Sequence, residues 1–217
     1  MAEVVNGAVR NPSGSAPQRL IVGISGASGV TYGVRVLDAL RELGVESHLV
    51  VTRAALLTLS QETDLSADDL LGRADVSHRL NDVGATIASG SFRTMGMIIA
   101  PCSVRTMSEI ATGVTSTLLT RAADVVLKER RPLVLMVRET PLHLGHLRLM
   151  TQAAEIGAVL VPPLPAFYHH PKTLDDIVNQ SVNKALDQFD LGVELDLFGL
   201  DWSAVRRWGG LKGPLAE

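Results

Sequence analysis

Apolar residues along the chain fall into short runs that alternate with stretches of helical spacing. Arg19-Leu20-Ile21-Val22-Gly23 reads as an apolar strand running into Ser25-Gly26-Ala27-Ser28-Gly29, after which Val30, Val34, Leu37 and Leu40 recur at three- and four-residue intervals. The pattern predicts strand, glycine-rich turn and helix, with Arg41-Glu42-Leu43-Gly44 ending that helix at a glycine. Residues 45–51 predict a second buried strand and residues 54–61 the helix after it. A third short strand is expected over 97–100, stopped by Pro101, followed by a helix over 106–119. Further strands are expected over 133–137 and 159–161, with helices over 140–157 and 174–186. The charged, weakly periodic segment 66–84 reads as a surface excursion. Strands that alternate with helices imply an α/β fold with a doubly wound, mainly parallel sheet.

Length and composition place one domain in this chain of 217 residues. Residues 1–18, with Asn11-Pro12-Ser13-Gly14-Ser15, read as a disordered leader; 19–190 form the domain and 191–217 a tail. Phe198, Trp202 and Trp208 lie in that tail and are expected to dock on the domain or on a neighbouring subunit. A formal charge of only −3 lacks the basic excess of a nucleic-acid binder. No run approaches the roughly 18 apolar residues of a membrane span, so a cytoplasmic protein with no membrane partner is expected. Cys102 is the only cysteine, which excludes an internal disulfide and any cysteine cluster for a metal. His143 and His146 stand one helical turn apart, but no third ligand accompanies them or His169 and His170, so no metal is expected.

The chemistry starts at the first glycine turn. A Gly/Ser-rich turn between strand and helix aims backbone N–H groups and a helix N-terminus at one spot, which favours an anion such as phosphate, and Ser28 adds a hydroxyl. The spacing Gly23-x-Ser25-Gly26-x-Ser28-Gly29 departs from G-x-G-x-x-G, and the second strand ends at Thr52-Arg53 without an acid for a ribose diol. One phosphate therefore suits the turn better than a dinucleotide. A tight turn that binds nothing is the alternative on these residues alone.

Further blocks follow in order: Glu62-Thr63-Asp64, Ser89-Gly90-Ser91, Ala100-Pro101-Cys102-Ser103, Arg121-Ala122-Ala123-Asp124-Val125, Leu127-Lys128-Glu129-Arg130-Arg131, Arg138-Glu139-Thr140-Pro141 and Pro165-Ala166-Phe167-Tyr168-His169-His170-Pro171. With the first turn, this series resembles the UbiX flavin prenyltransferases (UbiX/Pad flavoproteins) over about residues 20–186. The resemblance implies a flavodoxin-like, three-layer fold holding FMN, with the phosphate at Gly26, Ala27 and Ser28 and Thr52 beside it. Ser103, Val104, Arg105, Thr106 and Arg138 would border the flavin. Dimethylallyl monophosphate, the second substrate, would meet Ser91, Lys128, Arg138, Tyr168 and Lys184; many members have Arg where Lys184 stands, so a forked donor gives way to a point charge.

In that family N5 of reduced flavin displaces phosphate from the prenyl carbon and C6 closes a fourth ring, without a metal. An indole face suits the allyl-cation-like state, making Trp208 a candidate with Trp202 its competitor. Ser28, Glu62 and Glu139 match the polar relay that takes the C6 proton. The resemblance further implies large homo-oligomers, often dodecamers, and a UbiD-type decarboxylase as recipient of the product. Plainer roles stand beside these: Ser103 as a helix cap, Lys128 as a solvated helix-end charge, Tyr168 as a core aromatic, Glu139 as an ion-pair partner of Arg138, and Cys102 as a buried filler. Two other functions share the fold. An FMN-dependent cysteinyl-carboxylate decarboxylase would carry a His before the third strand and a Pro-Ala-Ser-Ala-Asn motif, where this chain has Ser89-Gly90-Ser91 and Pro101-Cys102-Ser103. The other is a non-catalytic flavin-binding protein.

Overall fold

The computed structural model describes residues 18–191, so the leader, apart from Gln18, and the tail, apart from Leu191, lie outside the described residues, as do Phe198, Trp202 and Trp208. Six strands alternate with seven helices among the described residues: β1 (Arg19–Ile24), α1 (Val30–Glu42), β2 (Glu46–Val51), α2 (Arg53–Glu62), α3 (Ala67–Leu71), β3 (Val76–His78), β4 (Gly96–Cys102), α4 (Val104–Ala111), α5 (Leu118–Lys128), β5 (Leu133–Val137), α6 (Leu144–Glu155), β6 (Ala158–Leu160) and α7 (Leu174–Leu186). The strands make one sheet in the order β3-β2-β1-β4-β5-β6, every neighbouring pair parallel. The order reverses between β1 and β4, which defines a doubly wound sheet and opens a crevice at the carboxyl ends of those two strands.

Alternation along the strands assigns each face its helices. Leu20, Val22, Ile24, Ile98, Ala100, Val134 and Met136 pack with Val30, Leu37 and Leu40 of α1 and with Val178, Val182 and Ala185 of α7. Ile21, Val50, Met97, Ile99, Leu133 and Leu135 face the other way, onto Met107 and Ile110 of α4 and Leu119, Ala122 and Val126 of α5. Side-chain oxygens of Thr52, Ser66, Ser103, Thr117 and Thr173 accept N–H groups at the starts of α2, α3, α4, α5 and α7, satisfying donors that a helix start leaves open.

Three expectations change. The segment 66–84 contains α3, fixed by a capping box between Ser66 and Asp69, and the edge strand β3, so it is part of the fold. β4 runs through Pro101 to Cys102; its register against β5 shifts between Ile99 and Cys102, where an irregular ladder tolerates a residue without an N–H. The single helix expected over 106–119 is two, α4 and α5, separated by a turn in which Gly113 takes φ 72°.

Candidate active site

The central strands are stitched together where they end. Ser25 donates from its N–H and its hydroxyl to the Pro101 carbonyl, at 3.2 and 3.1 Å, and its Oγ accepts the Ser103 N–H at 2.7 Å. The Arg138 N–H donates to the Cys102 carbonyl at 3.1 Å, and the Thr52 N–H to that of Ile24 at 3.0 Å. The ends of β1, β2, β4 and β5 are thereby tied into one rim. Two of them turn at once into capped helices: Thr52 Oγ1 accepts from Ala55 at 3.1 Å, and Ser103 Oγ accepts from Thr106 at 3.3 Å. The cap expected of Ser103 is present. Thr106 is buried behind Ser103, Val104 is half-buried, and Arg105 is exposed and paired with Glu109.

The turn after β1 fits an anionic group. A Cβ on Gly26 would fall 2.3 Å from Ala54 Cβ, so only glycine lets the turn lie against the first residues of α2. The N–H groups of Gly26, Ser28, Arg53 and Ala54 have no hydrogen-bond partner among the described residues. Two sets of open donors, one from a turn and one from a helix N-terminus, therefore meet at one place, which is the donor chemistry a phosphate monoester needs.

The N-terminus of α1 is already filled, contrary to the expectation that it too would serve an external anion. Glu62, at the end of α2, reaches across so that Oε2 accepts the N–H groups of Gly29 and Val30 at 2.8 and 3.0 Å. Gly29 holds φ 100° to start the helix there. Burial alone would raise the Glu62 carboxyl; hydrogen bonds from the Ser28 hydroxyl, Gly29 and Val30, with the charge of Arg138, outweigh it and hold the group below its ordinary value. Arg138 also acts on Tyr32, whose phenol burial pushes upward while a Ser181 hydrogen bond and the arginine oppose the rise. Ser28, Glu62 and Arg138 are thus brought together. Replacing Glu62 by Gln should cost about 1 kcal/mol in thermal or urea unfolding near neutral pH. Because its folded value is depressed, this contribution exists above the unfolded value of 4.5 and vanishes as pH falls through the folded value. Wild type and variant should therefore converge in acid, and a gap that persists there would contradict the assignment.

Glu139 is separate from this group. It is exposed, its Oε1 accepts the Thr140 N–H at 2.9 Å, and no ion pair joins it to Arg138. Cys102 is fully buried, and burial pushes its thiol far upward, so it is the inert filler expected. His143 Nδ1 accepts the N–H groups of Gly145 and His146, which makes it the cap of α6. Among the described residues, no three His, Cys, Asp or Glu are placed to hold a metal ion, and no helix is long and apolar enough to cross a membrane.

The residues expected at the prenyl phosphate do not converge within one chain. Lys128 ends α5 and Ser91 precedes β4, at the amino-terminal edge of the sheet, whereas Arg138 follows the carboxyl end of β5. The five residues of β5 separate the two edges by about 16 Å. Tyr168 sits on a loop and is 63% exposed, so it is not a core aromatic, and Lys184 is exposed near the end of α7.

A doubly wound domain with an anion cradle at its topological switch point, and without the dinucleotide pattern, fits a class that binds a mononucleotide through its phosphate. The Flavoprotein family model matches residues 9–184. The flavin prenyltransferase UbiX of Thauera aromatica is 65% identical over 192 residues, covering 88% of this chain and 94% of that protein. The solved structure of AnUbiX (PadA1) in complex with FMN and dimethylallyl pyrophosphate superposes with a TM-score of 0.83 at 44% identity, covering 91% of this chain and all of that one. A dodecameric FMN-dependent UbiX-like decarboxylase from Escherichia coli O157:H7 superposes at 0.82 with 49% identity, covering 89% and 100%. The chain belongs to the Flavoprotein family and, within it, to the UbiX flavin prenyltransferases.

Proposed function

We propose that the crevice between β1 and β4 receives reduced FMN and joins to its N5 and C6 the dimethylallyl group of dimethylallyl monophosphate, giving prenylated FMN for a UbiD-type decarboxylase. The observation that carries this reading is the meeting of open N–H donors from Gly26, Ser28 and the start of α2, with Ser28, Glu62 and Arg138 alongside. The AnUbiX complex supports both ligand classes by likeness. Gly26, Ala27, Ser28 and Thr52 hold the flavin phosphate, and Ser103 to Thr106 with Arg138 border the ring. Reduced flavin supplies the nucleophilic nitrogen and carbon, so no metal is required.

The two carboxylates divide the proton work. Glu62 is satisfied by backbone donors and held ionised, which makes it a weak base and an anchor for the Ser28 hydroxyl. Glu139, whose carboxylate is exposed beside Arg138, is the group free to accept the C6 proton. Lys128, Ser91, Tyr168 and Lys184 meet the prenyl phosphate only where copies of the chain adjoin, because one chain holds Lys128 and Arg138 at opposite sheet edges. The dodecameric relative supports such an assembly.

Substitutions separate these roles. Glu139→Gln should slow formation of prenylated flavin about 100-fold while leaving flavin affinity unchanged. Ser28→Ala should instead weaken flavin binding at least ten-fold, the loss of one hydrogen bond to a charged group. Anaerobic turnover and flavin titration measure both, and equal behaviour of the two variants would remove the proposed relay.

A further inference from the structure

Ser91 is exposed on a short turn, Ser89-Gly90-Ser91, that belongs to no helix or strand, so its place depends on what anchors the turn. The next residue, Phe92, is held at its backbone and at its ring. Its N–H donates to the Ser89 carbonyl at 3.2 Å, closing the turn. Its carbonyl accepts Arg131 Nη1 at 2.8 Å, and Nη2 of the same guanidinium donates to the Gly90 carbonyl at 2.8 Å. The Arg19 guanidinium stands over the phenyl ring, 4.9 Å from its centroid, and the His48 ring makes a T-shaped contact with it at 5.0 Å and 69°. These two neighbours are themselves pinned. Glu46 Oε1 accepts Arg19 Nε at 3.1 Å and lies 2.8 Å from His48 Nε2, while His48 Nδ1 lies 3.0 Å from Nε2 of the stacked His78 ring. Both nitrogens of the buried His48 are thereby engaged.

We infer that Phe92 is a positioning residue: gripped by Arg19 and His48, it fixes the turn that presents Ser91 to the prenyl phosphate. The inference rests on the reading of Ser91 as part of that phosphate's seat. A hydroxyl held in place before the ligand arrives spares the cost of ordering its turn on binding. Core filling does not account for this residue. Phe92 is half-buried, at the margin of a cluster whose Met97 and Ile99 are fully buried. Its ring meets a guanidinium and an imidazole, each held by Glu46. An aliphatic side chain would occupy the same space and offer the guanidinium no π face.

Full-length Phe92→Leu, which keeps the apolar bulk and loses the ring, tests this. Amide hydrogen exchange over residues 89–92, followed by mass spectrometry, should quicken about ten-fold, with the buried strands unchanged. In anaerobic turnover, KM for dimethylallyl monophosphate should rise about ten-fold while kcat and flavin affinity hold. Phe92→Tyr, which restores the ring, should return both readouts to the wild-type values. Added to Ser91→Ala, Phe92→Leu should raise KM no further, because the hydroxyl it places is gone. Exchange over 89–92 that stays at the wild-type rate in Phe92→Leu overturns the inference, whatever the turnover. So does a KM unchanged in Phe92→Leu where Ser91→Ala raises it, or a fall in flavin affinity equal to the rise in KM, which marks general damage. A KM unmoved by Ser91→Ala counts against the reading of Ser91 as the phosphate seat instead, and the exchange rate still decides whether Phe92 anchors the turn.

Discussion

Co-expressed chains, some carrying Lys128→Ala and the others Arg138→Ala, are expected to regain a prenyl-transfer activity that neither variant shows alone. On the proposed reading each single substitution removes a cation from the seat of the prenyl phosphate and should lower turnover efficiency about 100-fold. Lys128 and Arg138 sit at opposite edges of one parallel sheet, so a site that needs both draws them from different copies. A mixed assembly then contains sites with both residues intact. With random mixing, about a quarter of wild-type activity should return, the chance that a site takes its lysine from one variant and its arginine from the other. Anaerobic flavin conversion measures it. Mixed oligomers that stay inactive would show that a site does not combine these two residues from separate chains.

Gly26→Ala should be nearly as damaging, for a local reason. Its Cβ would meet Ala54 Cβ at 2.3 Å, and either the turn or the start of α2 must withdraw, separating the two sets of N–H donors. Flavin affinity should fall about 100-fold, and thermal unfolding should show a loss of about 1–3 kcal/mol from overpacking. The partner atom supplies the control. In Gly26→Ala/Ala54→Gly the clashing methyl is gone and the remaining Ala54 atoms lie at 3.2 and 3.3 Å, so most of the affinity should return. A double variant as weak as the single one would place the damage elsewhere than in this contact.

Much of the fold was readable because its signals are strong where the sheet is buried on both faces. Runs such as Leu20 to Val22 and Leu133 to Val137 are continuous and apolar, and α7 occupies the residues 174–186 that its spacing predicts. The unreadable parts are those where tertiary context decides. β3 is a three-residue, half-buried edge strand, too short and too polar to stand out from its loop. Pro101 reads as a stop, yet the register shift beside it lets β4 continue.

The site divides in the same way. Gly26, Ser28, Thr52, Ser103 and Arg138 lie at one rim because topology places the end of every parallel strand on the same side. Glu62 enters from the sequence as a member of the polar relay that the resemblance implies, and only the packing of α2 against α1 shows that it caps Gly29 and Val30. The remoteness of Lys128 and Ser91 was equally hidden, since order along a chain does not say which edge of a sheet a residue faces. The cue available was position: both precede a strand, whereas the residues expected at the flavin follow one.

Prenyl transfer itself is most directly tested by the mass of the flavin. Purified protein is incubated without air with reduced FMN and dimethylallyl monophosphate, and the released flavin is weighed by mass spectrometry. A flavin heavier by one five-carbon unit is the predicted result; FMN recovered unchanged from protein that demonstrably binds it would contradict the assignment.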